Sequence, residues 1–148
     1  TSPYPTDANY VGPGKIPILN NSPVIVLKDG QLAFVFGTPG GETIGQTEFQ
    51  VLVNLLDFGL PVQQAIEAPR LALDAEPNFY KPGAAVTVQI EGRVPAATIE
   101  ALKAMGHTVR VLPGWGSLGH MQVIGVDPRT GAMTAGADPR RTGYAMGY

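Results

Sequence analysis

The sequence contains no cysteine, few charges and no long apolar run, and each absence excludes a class of protein. Without cysteine, the chain cannot form disulfides, thiol nucleophiles or zinc–thiolate sites. Charged residues make up 15% of the 148 residues and the net charge is −2, so no basic surface is available to neutralise the phosphates of a nucleic acid. No apolar run approaches the length of a membrane span. The low charge also suggests a chain whose surface is partly covered by something else.

Apolar residues, glycine and proline are abundant instead. A hydrophobic content of 44% in 148 residues is enough for one domain with its own core. The 19 glycines and 14 prolines predict many short elements joined by sharp turns. We treat residues 1–148 as a single domain, with an extended, proline-rich segment over 1–21 and a globular part over 22–148.

A β-hairpin is the clearest local prediction. Apolar runs over 24–27 and 32–36 flank Lys28-Asp29-Gly30, and Asp-Gly between two such runs is typical of a tight hairpin turn. Because neither run alternates with polar residues, the hairpin is expected to be buried on both faces.

A helix is predicted over 43–58, with a capping box formed by Thr43 and Gln46 and a stop at Gly59. Its buried stripe is expected to contain Ile44, Thr47, Val51, Leu55 and Phe58, with Leu52 and Leu56 alongside.

Shorter elements fill the rest of the chain. Helices are predicted over 62–67 and 95–105, and strands over 71–74, 85–90, 107–112, 121–126 and 133–137, with Val86, Val88 and Ile90 on one strand face. The predicted fold class is α+β or layered α/β, with mainly antiparallel strands covered by helices.

The segment from Phe36 to Thr43 is the most informative feature. Its Pro39-Gly40-Gly41 corner follows a strand-like run and opens a helix, so backbone N–H groups can converge beside a helix N-terminus. Such a corner suits an anion or a developing oxyanion, although a plain strand-to-helix turn has the same pattern. A phosphate loop is disfavoured because Glu42 stands where lysine is needed, and the glycine spacing does not fit a dinucleotide fingerprint.

Other polar residues give weaker indications. His107 and His120 have no metal-ligand spacing and are interpreted as packed or surface side chains, and Trp115 as a packing residue that could line a pocket. Ser22, Thr38 and Ser117 have no activating partner nearby in the sequence. Arg70, Asp138 and Arg140 are predicted to form buried ion pairs.

Several segments, in order, resemble the small subunit of γ-glutamyltransferases, members of the N-terminal nucleophile hydrolases. The matching segments are Gly12-Pro13-Gly14-Lys15-Ile16-Pro17, Ser22-Pro23-Val24-Ile25-Val26, Asp29-Gly30, Gly37-Thr38-Pro39-Gly40-Gly41, Ala68-Pro69-Arg70, Gly106-His107, Gly136-Ala137-Asp138-Pro139-Arg140 and Gly147-Tyr148.

The resemblance implies a four-layer αββα fold built from two subunits cut from one precursor. It implies cleavage of γ-glutamyl amides such as glutathione by an N-terminal threonine, with the acyl group passed to water or an amino acid. Gly40 and Gly41 would supply the oxyanion amides, without a cofactor or metal. The implied partners are the large subunit and the upstream part of the same precursor, in a periplasmic or secreted location.

Two departures from the family pattern affect these expectations. Thr1 lacks the strand pattern of the family's nucleophile, so the nucleophile is expected upstream and the isolated chain is expected to be inactive. Leu19 and Asn20 stand where the family usually has Ser-Ser, a pair that holds the glutamyl carboxylate. They are the candidate substrate-binding residues, and strict γ-glutamyl specificity is in doubt. A cephalosporin-acylase-like enzyme and an inert fragment or partner subunit are the alternatives.

Overall fold

Two sheets and three helices make up the computed structural model, which describes residues 2, 4–16, 21–77, 79 and 81–147. This arrangement confirms the predicted α+β class. In chain order the elements are β1 (Val24–Lys28), β2 (Gln31–Gly37), a 3-10 turn (Gly41–Thr43), α1 (Ile44–Leu56), α2 (Val62–Glu67), β3 (Leu71–Glu76), β4 (Ala85–Glu91), α3 (Ala96–Ala104), β5 (Val109–Leu112), β6 (Gln122–Val126) and β7 (Met133–Ala137).

The first sheet is antiparallel throughout, with strand order β1-β2-β6-β7. The predicted hairpin forms its first two strands. Asp29 and Gly30 both have positive φ, 53° and 78°, as a tight turn that matches the strand twist requires. The Asp-Gly pair in the sequence was therefore sufficient to predict this turn.

The main core lies between this sheet and the helices α1 and α2. Val51, Ile66, Met121 and Val123 are fully or almost fully buried there, and burial of each such side chain contributes about 1.5–3 kcal/mol. Helix α2 approaches β7 closely at Gly136, where a Cβ would overlap Ile66.

Two expectations for α1 are wrong. Phe58 is 70% exposed, because α1 ends at Leu56 and the buried stripe does not continue past it. Thr43 and Gln46 form no capping box: the Thr43 hydroxyl donates to the Gly40 carbonyl, and the Gln46 amide bonds the backbone of Leu73.

The hairpin is also not buried on both faces in this chain. Val24 and Val26 pack against the core, whereas Ile25 and Leu27 are 67% and 62% exposed. The helices α1 and α2 pack against one face of the sheet, and Ile25 and Leu27 lie on the other.

The second sheet has strand order β3-β4-β5, and α3 provides the crossover between the parallel strands β4 and β5. Val88 and Ile90 pack with Ile99 of α3 in a small separate core. Val86, which was predicted on the same strand face as these two residues, is half exposed.

A buried ion-pair network links the two sheets. The Arg70 guanidinium lies 2.7 Å from the Asp138 carboxylate, and Arg140 contacts Asp138 at 3.1 Å and Glu91 at 2.6 Å. Arg70 precedes β3 and Glu91 ends β4, whereas Asp138 and Arg140 follow β7, so the pairs join the sheets at one point. The predicted ion pairs are confirmed. Sequence reasoning missed Glu91 and its second partner, Arg93.

Within the part of the chain that the structure describes, no helix is long and apolar enough to cross a membrane.

Removal of the Asp138 charge should destabilise the protein strongly. Asp138→Asn leaves the buried Arg70 guanidinium without its anionic partner, and breaking a buried pair in this way typically costs about 3–5 kcal/mol. Urea denaturation should therefore show a large loss in the free energy of unfolding. Glu100→Gln, which removes one member of the exposed pair with Lys103, is the matched control and should cost less than about 1 kcal/mol.

The same substitution should alter the acid dependence of stability. Burial alone would raise the pKa of Asp138, but Arg70 and the N–H groups of Met121 and Arg140 outweigh burial and lower it. The stability that this carboxylate provides is thus present above the unfolded pKa of about 3.9 and is lost as pH falls through the lower folded pKa. The Asp138→Asn variant should lack this pH-dependent contribution to the free energy of unfolding. Unchanged urea and acid midpoints would contradict the role assigned to the network.

Candidate active-site cleft at the Gly40-Gly41 corner

The corner between β2 and α1 has a backbone that glycine alone accommodates easily. Gly40 has φ 150° and ψ 7°, and Gly41 has φ 57°. Both the Thr43 amide and the Thr43 hydroxyl donate to the Gly40 carbonyl, at 3.1 and 3.0 Å, which closes the turn. A Cβ on Gly40 would overlap that hydroxyl, so the tight turn excludes a side chain at this position.

Two backbone N–H groups at this corner are unpaired within the described part of the chain. The N–H groups of Gly40 and Gly41 have no acceptor among the residues that the structure describes. Both residues line an open cleft of about 650 Å³, together with Asn21, Ser22 and Ile44. Unpaired amides beside the start of a 13-residue helix can bind an anion or stabilise a developing oxyanion.

The loop before β6 supports the corner from behind. The Thr38 hydroxyl accepts a hydrogen bond from the His120 amide at 2.7 Å and donates to the Pro39 carbonyl at 2.8 Å. The Thr47 hydroxyl of α1 donates to the Leu118 carbonyl of the same loop, and Gly119 packs against both threonines. The corner is therefore anchored by side chains far away in the sequence.

Glu48 is a buried carboxylate next to the cleft that sequence reasoning missed. It is only 6% exposed, and its Oε2 accepts a hydrogen bond from the Ser22 hydroxyl at 2.8 Å. Its Oε1 has no partner among the described atoms. A signal was present, because Glu48 lies four residues after Ile44 and thus on the buried side of α1.

The described hydroxyls do not form an activated nucleophile. The Ser117 hydroxyl lies 3.4 Å from His120 Nε2, but His120 Nδ1 is buried without a partner, so no third group orients the ring. Burial, followed by the positive charge of Arg141, lowers the pKa of His120. Ser22 faces a carboxylate and Thr38 a carbonyl, and neither arrangement is a serine–histidine pair.

The remaining candidate residues lie elsewhere. Leu19 and Asn20 fall outside the described residues. His107 is exposed, and Trp115 stacks on Arg93, with the guanidinium carbon 3.7 Å from the ring centroid. Among the described residues, no group of three or more His, Asp or Glu side chains could hold a metal ion.

Comparison with known proteins shows the family to which the chain belongs. The gamma-glutamyltranspeptidase family model matches residues 1–148. The glutathione hydrolase proenzyme of Pseudomonas aeruginosa is 38% identical over 143 residues, which are 95% of this chain and 24% of that protein. The acylase ACY 1 proenzyme of Pseudomonas sp. strain SE83 is 33% identical over 95% of this chain and 23% of its own length.

A solved structure has the same fold. The gamma-glutamyltranspeptidase from Pseudomonas nitroreducens complexed with L-DON is similar with a TM-score of 0.77 and 36% identity, over 97% of this chain and 69% of that one. This chain spans about a quarter of the length of the curated relatives that it matches. The chain belongs to the gamma-glutamyltranspeptidase family and has its N-terminal nucleophile hydrolase fold.

Proposed function

We propose that this chain provides the oxyanion-stabilising backbone amides of a γ-glutamyltransferase/hydrolase that cleaves γ-glutamyl amides such as glutathione. The observation that carries the proposal is the pair of unpaired amides at Gly40 and Gly41, which line an open cleft at the start of α1. Amides held rigidly at a helix N-terminus are suited to the negative charge that develops on a carbonyl oxygen during acyl transfer.

The reaction proposed here begins with a threonine upstream of this chain. Its hydroxyl adds to the γ-carbonyl carbon, its own amino group takes the hydroxyl proton, and the carbonyl oxygen becomes an oxyanion that Gly40 and Gly41 hold. Collapse breaks the C–N bond, the amine leaves with that proton, and the acyl group remains as an ester. Water or an amino acid then releases the acyl group by the same steps.

The proposed partners are the large subunit and the upstream part of the same precursor. The word proenzyme in the names of the relatives supports processing of a longer chain. The exposed sheet face with Ile25 and Leu27 is consistent with a chain that packs against another part of such a protein. The family resemblance favours a periplasmic or secreted location.

A related acylase is the second candidate. Leu19 offers no hydrogen-bond donor where the family usually has serine, and one relative is named an acylase. Under this alternative the same backbone amides would stabilise the oxyanion formed from an acyl donor that lacks the glutamyl α-carboxylate. An inert partner subunit, the third possibility, would show no turnover in any assembly.

The first test compares the complete processed protein with residues 1–148 alone. The complete protein should hydrolyse γ-glutamyl-p-nitroanilide, whereas the isolated chain should not, because the proposed nucleophile lies upstream of it. Released nitroaniline measures both rates. Turnover by a pure sample of the isolated chain that disappears on Thr1→Ala would overturn the upstream position of the nucleophile.

The second test moves the proposed oxyanion donors. Gly40→Ala forces the corner apart, because the new Cβ overlaps the Thr43 hydroxyl. Turnover of the processed enzyme should fall roughly 100- to 1000-fold, the usual effect of losing one oxyanion donor. Gly41→Val should also lower turnover steeply, since valine disfavours φ 57°.

Gly45→Ala is the matched control for these two substitutions. A Cβ at Gly45 meets no atom within 4 Å, so turnover should stay within about twofold of the unmodified enzyme. Autoprocessing is followed separately by mass spectrometry. Equal kcat values for the alanine variants at positions 40 and 45 would mean that the corner is only a turn.

The third test addresses Leu19 and Asn20 as determinants of donor binding. Replacing both by serine should restore hydrogen bonds to the α-carboxylate, and one such bond to a charged group is worth about 1.5–3 kcal/mol. KM for γ-glutamyl-p-nitroanilide should therefore fall at least about tenfold. A donor with its α-carboxylate converted to an amide is the control and should gain little. An unchanged KM for both donors would remove Leu19 and Asn20 from the binding site.

A further inference from the structure

Helix α1 is attached to the second sheet by the side chains of two glutamines that lie one turn apart. The Gln46 carboxamide accepts a hydrogen bond from the Leu73 amide at 2.6 Å and donates to the Leu73 carbonyl at 3.2 Å. Gln50 forms the same two bonds with Leu71, at 3.0 and 2.8 Å. Four residues of a helix rise about 6 Å and two residues of a strand about 6.7 Å, so the glutamines match alternate residues of β3. Because β3 lies at the edge of its sheet, the two carboxamides take the place of a neighbouring strand.

Gln46 differs from Gln50 in the third group that it binds. Its Nε2 also donates to the Glu42 carbonyl at 3.0 Å, and Glu42 directly follows Gly41 in the 3-10 turn. One side chain therefore connects the turn that carries Gly40 and Gly41 to β3. The third bond of Gln50 goes to the carbonyl of Gln46, within the regular part of α1.

Packing alone leaves a gap between this turn and β3. A cavity of about 190 Å³ lies between them, lined by Gly40, Glu42 and Thr43 on one side and by residues 72–75 of β3 on the other. The hydrogen bonds of Gln46 connect the two sides. Groups that stabilise a transition state must be held within roughly 0.5 Å of their productive position. A turn that loses this connection would therefore lose part of its alignment.

We propose that Gln46 is a positioning residue for the oxyanion amides, because its carboxamide fixes the turn with Gly40 and Gly41 relative to β3. Gln46 is not among the described residues that line the cleft, so it acts through the backbone and not by contact with substrate. This inference rests on the proposed acyl-transfer function and adds to it a residue outside the cleft.

The experiment compares Gln46→Met with Gln50→Met in the complete processed enzyme. Each substitution removes three hydrogen bonds and keeps an unbranched side chain of similar length. Leu71 and Leu73 are 37% and 41% exposed, so water can replace the lost partners in both variants. The two variants should therefore have similar urea midpoints, and a difference in turnover between them would not reflect global stability.

Gln46→Met should lower kcat for γ-glutamyl-p-nitroanilide roughly 10- to 100-fold, because a displacement of about 1 Å at a reacting group has effects of this size. Both halves of the proposed reaction pass through an oxyanion, so kcat should fall whichever half is slower. KM should change less than about twofold, since bound substrate carries no oxyanion. Gln50→Met should keep kcat within about twofold of the unmodified enzyme.

Gln46→Glu is the second variant and decides the question if the Gln46→Met precursor is not processed. It keeps an acceptor for the Leu73 amide and loses both donated bonds, including the bond to the Glu42 carbonyl. It should also lower kcat with little change in KM.

The other outcomes separate the inference from the proposed function. Equal losses of kcat in Gln46→Met and Gln50→Met would mean that both glutamines only attach α1 to β3. An unchanged kcat in Gln46→Met, or a rise in KM alone, would give Gln46 no part in positioning the amides. Each of these results would overturn the inference and leave the proposed function intact. Failure of the unmodified processed enzyme to turn over the donor would instead reject the proposed function, and the inference with it.

Discussion

The buried contact between Arg70 and Asp138 joins the two sheets and anchors the loop that supports the glycine corner. Asp138 also accepts a hydrogen bond from the Met121 amide, and Arg70 donates to the Leu118 carbonyl at 2.9 Å. The pair therefore anchors the loop before β6 at Leu118 and at Met121. Because the neighbouring His120 amide donates to the Thr38 hydroxyl, this loop connects the ion pair to the segment that leads into the glycine corner.

This connection explains how a glycine-rich corner can remain rigid. Gly40 and Gly41 have the most backbone freedom of any residue type, which is unfavourable for a preorganised site. Hydrogen bonds at Thr43, Thr38 and the Leu118 carbonyl remove that freedom without using the two glycine amides. Those amides remain available to a ligand.

Sequence reasoning succeeded where neighbours in the chain decide the structure. The Asp29-Gly30 turn and the start of α2 at Val62 follow from local backbone preferences, and the structure has both. Sequence reasoning failed where the structure depends on residues far away in the sequence. Gln46 bonds the backbone of Leu73 instead of capping α1, and the outer face of β1 stays exposed although its sequence is apolar. Local patterns carry no information on such partners.

The sequence by itself determined the hairpin, the helix after the glycine corner and the family to which the chain belongs, since these depend on residue order and on local φ and ψ preferences. It also indicated Arg70, Asp138 and Arg140 as ion-pair residues. Only the tertiary structure decided that Glu91 completes this network and that Glu48 lies buried behind Ser22. The physical reason is that burial and charge pairing depend on segments tens of residues apart, which meet only when both sheets have formed.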